Sequence, residues 1–195
     1  MIIHKFEQHS EDWYNIRKGK FTCSTLADLF MGEKTKGYND AINKIVFERL
    51  TGEIPDVYVN NDMKRGTELE PYAREKYQME TFNDVEQVGF IEYNEWFGYS
   101  PDGLVGDAGL IEIKCPRFTT LIDFALSRKI PKEYLYQMQG GLLASQRQWC
   151  DFVMFHPKMQ LIIEPHFSNS AIQEQILEVL DKAIKDVQQR LERLQ

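Results

Sequence analysis

The chain has 195 residues, 43% hydrophobic and 12% aromatic, enough to bury a core without staples, and no segment is of low complexity. Its longest apolar runs, Phe152–Phe155 and Leu161–Ile163, fall far short of the roughly 20 residues a membrane span needs, and His4, Lys5, Glu7 and Gln8 interrupt any signal-peptide core. With 23 Lys and Arg against 30 Asp and Glu the net charge is −7, which excludes a basic coat for nucleic acid but not an enzyme that gathers its cations in one groove.

No repeat and no Pro/Ser/Gly-rich linker divides the sequence, so one domain, residues 1–195, is expected. Thr22 to Met31 opens on hydroxyl residues suited to capping and carries Leu26, Leu29 and Phe30 at helical spacing. A second helix is expected over about Asn39–Leu50, with Gly52 placed to end it, and a third from about Thr67 through Tyr77. Val85–Tyr93 and Trp96–Tyr99 then read as strands, Leu104–Gly109 as a strand running into a tight turn and Leu110–Cys115 as another, together a three-stranded antiparallel meander. A helix over about Lys132–Ala144 follows, then strands at Phe152–Phe155 and Leu161–Glu164 joined at His156-Pro157-Lys158.

The last segment, Ala171–Leu194, carries the clearest apolar stripe, Ile172, Ile176, Leu180, Ile184, Val187 and Leu191, with Ser170-x-x-Gln173 as a capping box. This helix either covers a face of the sheet or packs at a subunit interface. The succession predicts an α/β fold of the α+β, mixed-sheet kind.

The chemistry concentrates in Ser100-Pro101-Asp102-Gly103 and Leu110-Ile111-Glu112-Ile113-Lys114-Cys115-Pro116. Strand alternation puts Leu110, Glu112 and Lys114 on one face and Ile111, Ile113 and Cys115 on the other. An acid and an ammonium deep in an apolar strand are costly unless paired. A hairpin returning through Gly106–Gly109 brings Asp102 beside Glu112. Two converging carboxylates offer hard oxygen ligands suited to Mg²⁺ or Mn²⁺, and a neighbouring lysine can orient a water or offset charge on a phosphate. Taken singly, Asp102-Gly103 is an ordinary turn and Glu112 with Lys114 a solvated edge-strand pair.

Together these residues fit the pattern written PD-(D/E)xK, and here the chain resembles a known family. Trp13–Ser24, Arg65-Gly66-Thr67-Glu68-Leu69-Glu70, Ser100–Gly103, Glu112–Pro116 and Tyr134-Leu135-Tyr136-Gln137-Met138-Gln139 stand in the order found in the lambda-type exonucleases, or YqaJ-like viral recombinases, of that nuclease superfamily. The resemblance runs from about Trp13 to His166. It implies a restriction-endonuclease-like core with flanking helices, and Glu70, Asp102, Glu112 and the Ile113 carbonyl around one or two Mg²⁺ (Mn²⁺ as the alternative).

By the same resemblance Lys114 and Gln137 position the attacking water and Tyr134 lines the site. Arg17, Ser24 and Ser100 match positions that hold the 5′-phosphate of a DNA end. On residue logic alone Thr67-x-x-Glu70 is a capping box with Pro71 in a first turn, Tyr134 packs against the sheet, and Arg17-Lys18-Gly19-Lys20 is either a solvated loop or a phosphate receiver. The family's further arginine, six residues beyond the lysine, is Thr120 here; Arg117 lies three residues closer.

The activity so implied is metal-dependent 5′→3′ digestion of double-stranded DNA ends. It releases 5′-mononucleotides and leaves a 3′ overhang for recombination. The implied partners are further copies of the chain in a ring trimer and a single-strand annealing protein, in a phage or prophage setting. Rival readings are a structure-specific endonuclease and a non-catalytic end-binding protein. Cys23, Cys115 and Cys150, odd in number and dispersed, provide neither a disulfide framework nor a four-thiolate cluster, and a reducing cytoplasm is expected. Four scattered histidines make no zinc site.

Overall fold

A computed structural model describes residues 1–55 and 60–194. In chain order the elements are β1 (Ile2–His4), α1 (Glu11–Arg17), β2 (Phe21–Thr22), a 3₁₀ turn (Cys23–Thr25), α2 (Leu26–Phe30), α3 (Lys36–Thr51), α4 (Asn61–Thr81), β3 (Val85–Glu86), β4 (Phe90–Glu92), β5 (Phe97–Tyr99), β6 (Gly103–Val105), β7 (Gly109–Lys114), α5 (Phe118–Ser127), α6 (Lys132–Ser145), β8 (Trp149–Met154), β9 (Ile162–Phe167) and α7 (Ser170–Leu194). The mixed α/β class expected from the sequence is the one observed.

The strands form two sheets, of order β1-β4-β5-β2 and β3-β6-β7-β8-β9. The expected meander is therefore divided: β4 and β5 pair antiparallel in the first sheet, β6 and β7 in the second. The reason is local. Ser100-Pro101-Asp102 carries the chain out of one sheet and into the other, and Pro101 has no N–H to continue a ladder.

In the second sheet β7 runs parallel to β8, with α5 and α6 forming the connection, and β8 returns antiparallel into β9. Both faces of this sheet are covered. Leu104, Leu110, Phe152 and Met154 pack in one apolar cluster with residues of α6 and α7, while Ile111, Ile113 and Val153 pack in another with Ala73 and Tyr77 of α4. The near-continuous apolar runs of β7 and β8 follow from that double burial.

Helix ends show where local signals were followed and where they were overridden. α3 begins at a Thr35 cap and ends at Gly52 with φ +74°, as the left-handed position requires. α4 begins far earlier than Thr67: Asn60 Oδ1 accepts the Met63 N–H at 2.8 Å. Thr67-x-x-Glu70 is thus no capping box, and Pro71 sits inside the helix. α7 is capped by Asn169, whose Oδ1 accepts the Ile172 N–H at 3.2 Å, rather than by Ser170. Thr22–Met31 divides into β2, a 3₁₀ turn and the short α2. The segments β1, α1 and α5, which no pattern singled out, are also regular.

Candidate active site

The site is built where β7 leaves the core. The ladder between β6 and β7 places Gly103 opposite Ile111, so Asp102, one residue earlier, stands opposite Glu112. Its Oδ2 accepts the Ile113 N–H at 2.6 Å, which ties the acid to the main chain of the neighbouring strand. Glu112 is 1% exposed and accepts two hydrogen bonds, from the Tyr99 hydroxyl at 2.9 Å and from Lys114 Nζ at 2.6 Å. Lys114 Nζ also donates to Gln137 Oε1 at 3.3 Å and lies 5.0 Å from the centre of the Tyr134 ring. Strand alternation and the three-residue spacing on α6 therefore bring Glu112, Lys114, Tyr134 and Gln137 together.

Glu70 reaches the same region from the middle of α4, where it pairs with Arg74 one turn later. An opening of about 500 Å³ is lined by Glu70, Ile113, Lys114, Tyr134, Arg117 and Thr120, among others. Tyr134 also packs against the core, its ring centre 5.4 Å from that of Phe152, so packing and lining the site are compatible.

Charge in this cluster is unbalanced toward the negative. Burial, reinforced by Glu112 and Glu70, pushes the Asp102 carboxyl well above its usual range. Burial also raises Glu70, against the pull of Arg74. Burial opposes the Lys114 ammonium, but Glu112 and Asp102 outweigh it and hold this group above its ordinary value. Tyr99 is pushed well up by burial and by Glu112, which keeps its hydroxyl a donor.

Among the described residues no three His, Cys, Asp or Glu side chains close on one point. Glu70 is drawn onto Arg74, and Asp102 onto the Ile113 N–H. The donors nonetheless fit a hard divalent cation in kind: carboxylate oxygens of Glu70, Asp102 and Glu112, whose mutual repulsion such an ion would relieve, and the carbonyl oxygen of Ile113.

A second opening, of about 640 Å³, is lined by Trp13, Arg17, Lys18, Thr22, Ser24 and Thr67, among others. Ser100 holds Arg17 in place: its Oγ accepts the Arg17 guanidinium at 2.6 Å and the Trp13 indole N–H at 2.9 Å. The guanidinium stacks 4.0 Å from the Trp13 ring centre, and burial lowers its pKa to about 10. Ser24 Oγ lies 3.0 Å from Thr22 Oγ1.

The turn that carries Arg17 is gripped by α3. The Gly19 N–H donates to Glu48 at 2.7 Å, its carbonyl accepts from Arg49 at 2.8 Å, and its φ of +72° suits glycine.

The remaining cations take other positions. Lys18 donates to the Gly52 carbonyl at 2.8 Å, Lys20 lies 3.4 Å from Glu92 of β4, and the exposed Arg117 pairs with Asp62 at 2.8 Å. Arg17, Lys18, Ser24 and Ser100 thus share one neighbourhood; Lys20 faces the first sheet, and Arg117 faces the acid-lined opening. Sequence reasoning missed Trp13, Tyr99 and Arg74. The spacing of Trp13 and Arg17 on one helix face was the available signal for the first.

The YqaJ-like viral recombinase domain model matches residues 12–148. The structure superposes on an alkaline exonuclease, LHK-Exo, from Laribacter hongkongensis with a TM-score of 0.88 and 37% identity, over 95% of this chain and 96% of that one. LHK-Exo in complex with dAMP gives 0.89 at the same identity and coverage. A phage-related exonuclease from Haemophilus somnus 129PT shares the fold, with a TM-score of 0.69 and 18% identity over 90% of this chain and 96% of that one. No curated protein sequence matches the chain.

Proposed function

The chain belongs to the YqaJ-like viral recombinase family, and from that premise we propose that it is a metal-dependent exonuclease acting 5′→3′ on double-stranded DNA ends. It releases 5′-mononucleotides and leaves a 3′ overhang for recombination. The 37% identity to an alkaline exonuclease over nearly the whole of both chains supports the reaction class and one nuclease domain spanning residues 1–195.

One observation carries the proposal. In Ser100-Pro101-Asp102 the first residue seats Arg17 and the third faces Glu112. Two residues of chain span at most roughly 7 Å, so an anion seated at Arg17, Ser24 and Ser100 would lie close to the acids, within the reach expected of a neighbouring nucleotide. An end group held there fixes both the polarity and the size of the product. Guanidinium and hydroxyl donors are the right partners for a terminal phosphate.

When held by Glu70, Asp102, Glu112 and the Ile113 carbonyl, Mg²⁺ or Mn²⁺ (one ion or two) supplies a Lewis acid for the phosphate and lowers the pKa of a bound water. The chain's own groups do the positioning. Lys114, fixed by Glu112 and Gln137, presents its ammonium to the phosphate or to the attacking water. Gln137 accepts from Lys114 through its oxygen, which leaves its amide N–H groups to hold that water or a phosphate oxygen. Tyr134 flanks the ammonium and limits its access to bulk water. Lys18 and Arg117 are assigned to the DNA backbone, where Arg117 would exchange Asp62 for phosphate; Lys20, turned to Glu92 of the first sheet, would reach DNA only by leaving that partner.

Family membership supports the remaining assignments, a ring-shaped trimer and work alongside a single-strand annealing protein. No helix among the described residues is long and apolar enough to cross a membrane, and the three free cysteines suit a reducing host cytoplasm. The test is Mg²⁺-dependent digestion of linear duplex beside closed circles. End-dependent release of mononucleotides supports the proposal; nicking of closed circles would make the protein an endonuclease, and binding without cleavage an end-binding protein.

A further inference from the structure

We propose that Arg74 is a positioning residue for the cation site, holding Glu70 and the main chain at Asp102 in one fixed relation through a single buried guanidinium. The inference rests on the nuclease reading of the site. Arg74 is 7% exposed, so its charge needs partners. It has three sets. Its Nη2 donates to Glu70 Oε1, one turn back on α4, and its Nε donates to the Asp102 carbonyl at 2.9 Å. With the Gln87 amide turned so that its oxygen faces the guanidinium, that oxygen accepts from Nη1 at 3.0 Å and from Nη2 at 3.2 Å.

The arrangement is specific to arginine. A planar fork reaches a helix carboxylate, a strand-leading carbonyl and an amide at once, which the single nitrogen of lysine does not. Glu70 is contacted through Oε1, so its other oxygen remains available to an ion. The carbonyl that Arg74 holds belongs to Asp102, the next acid of the set. One side chain therefore fixes the distance between an acid delivered by α4 and an acid delivered by the segment leading into β6, elements joined by a long stretch of chain. Partners that orient a metal ligand in this way typically change affinity by roughly 10- to 100-fold when removed.

The test measures Mn²⁺ binding to the full chain directly, by calorimetry and by the paramagnetic signal of free Mn²⁺. Arg74→Met is expected to weaken binding by about 10- to 100-fold, and Arg74→Lys by a smaller factor of at least about threefold, since it keeps a charge for Glu70 but loses the fork. Saturating Mg²⁺ should restore cleavage by Arg74→Lys, which a general loss of packing would not allow.

In a Glu70→Gln background Arg74→Met should weaken binding less than in the parent, because one of the two acids it holds is already lost and only the Asp102 arm remains. Parental or tighter Mn²⁺ affinity in Arg74→Met, or effects of the two substitutions that multiply in full, would overturn the assignment. Should Arg74→Met fail to fold, Arg74→Lys decides: unchanged Mn²⁺ affinity overturns the proposal. Glu112→Gln separates the two readings, since parental Mn²⁺ binding by that variant refutes the metal site itself, whatever Arg74 does.

Discussion

The Arg17 guanidinium donates to the Ser100 hydroxyl at 2.6 Å, which ties the end of α1 to the segment that delivers Asp102. The proposed phosphate receiver is thereby linked through Ser100-Pro101-Asp102 to the acidic cluster. Asp102 is held separately by the Ile113 N–H, so removing Arg17 should alter recognition of the DNA end while leaving the metal site in place. Arg17→Ala is expected to cost about 1.5–3 kcal/mol on 5′-phosphorylated ends, the range for hydrogen bonds to charged groups, or roughly a tenfold to hundredfold loss of rate. It should also erase the preference for phosphate over hydroxyl. Rates on the two ends, together with Mn²⁺ affinity, check both halves of the expectation.

Glu112 accepts from Tyr99 and Lys114 while almost wholly buried, so each partner makes a separable contribution. Lys114→Ala should abolish cleavage in a folded protein, and also lower its stability because the buried Glu112 loses its cation. Tyr99→Phe should leave a buried carboxylate oxygen without its donor and lower stability by about 1–3 kcal/mol. Denaturant unfolding and single-turnover digestion distinguish these outcomes.

Gly141 of α6 faces the Tyr99 ring, and a Cβ there would lie 2.7 Å from Tyr99 Cε1. Tyr99 is itself enclosed, so the ring has little room to yield. Gly141→Ala is expected to destabilise by about 1–3 kcal/mol through overpacking and to slow cleavage by moving the donor that fixes Glu112. Unchanged activity in a folded Gly141→Ala protein would show that Tyr99 is not needed to hold that carboxylate.

The raised Asp102 pKa gives a signed dependence on pH. Its ionised form opposes folding: the penalty is fully present above the raised folded value and fades as pH falls toward the ordinary 3.8. A divalent cation at the site offsets that penalty. Mn²⁺ at a hundredfold excess over its Kd should therefore add about 2.7 kcal/mol, or roughly 5–10 °C in Tm, with a smaller gain as pH falls through the Asp102 titration. Thermal scans with and without Mn²⁺ across pH check the sign, and Glu112→Gln should remove most of the shift.

Much of this site was legible because strand alternation is a strict rule. Glu112 and Lys114 share a face, and the hairpin sets Asp102 opposite Glu112, as the spacing implied. The periodic helices α3, α6 and α7 were readable for the same kind of reason. What failed was reasoning that stopped at the nearest cap. Thr67, Glu70 and Pro71 look like a helix start, yet Asn60 begins α4 seven residues earlier. That difference moves Glu70 from a frayed end to a rigid interior turn. α5 went unread because both of its sides are apolar: Leu121 and Phe124 are buried, while Phe118, Ile122 and Leu126 are exposed. Arg74 was invisible because a charge four residues after an acid usually marks a solvated pair; only the fold shows it buried against Asp102.

The most direct test of the central claim is to follow a linear duplex carrying distinguishable labels at its 5′ and 3′ ends, in Mg²⁺, with the parental protein and with Glu112→Gln. The account predicts that the parent releases the 5′ label as a mononucleotide and spares closed circles, and that Glu112→Gln releases nothing. Release from the 3′ end, cleavage of closed circles or near-parental digestion by Glu112→Gln would contradict it.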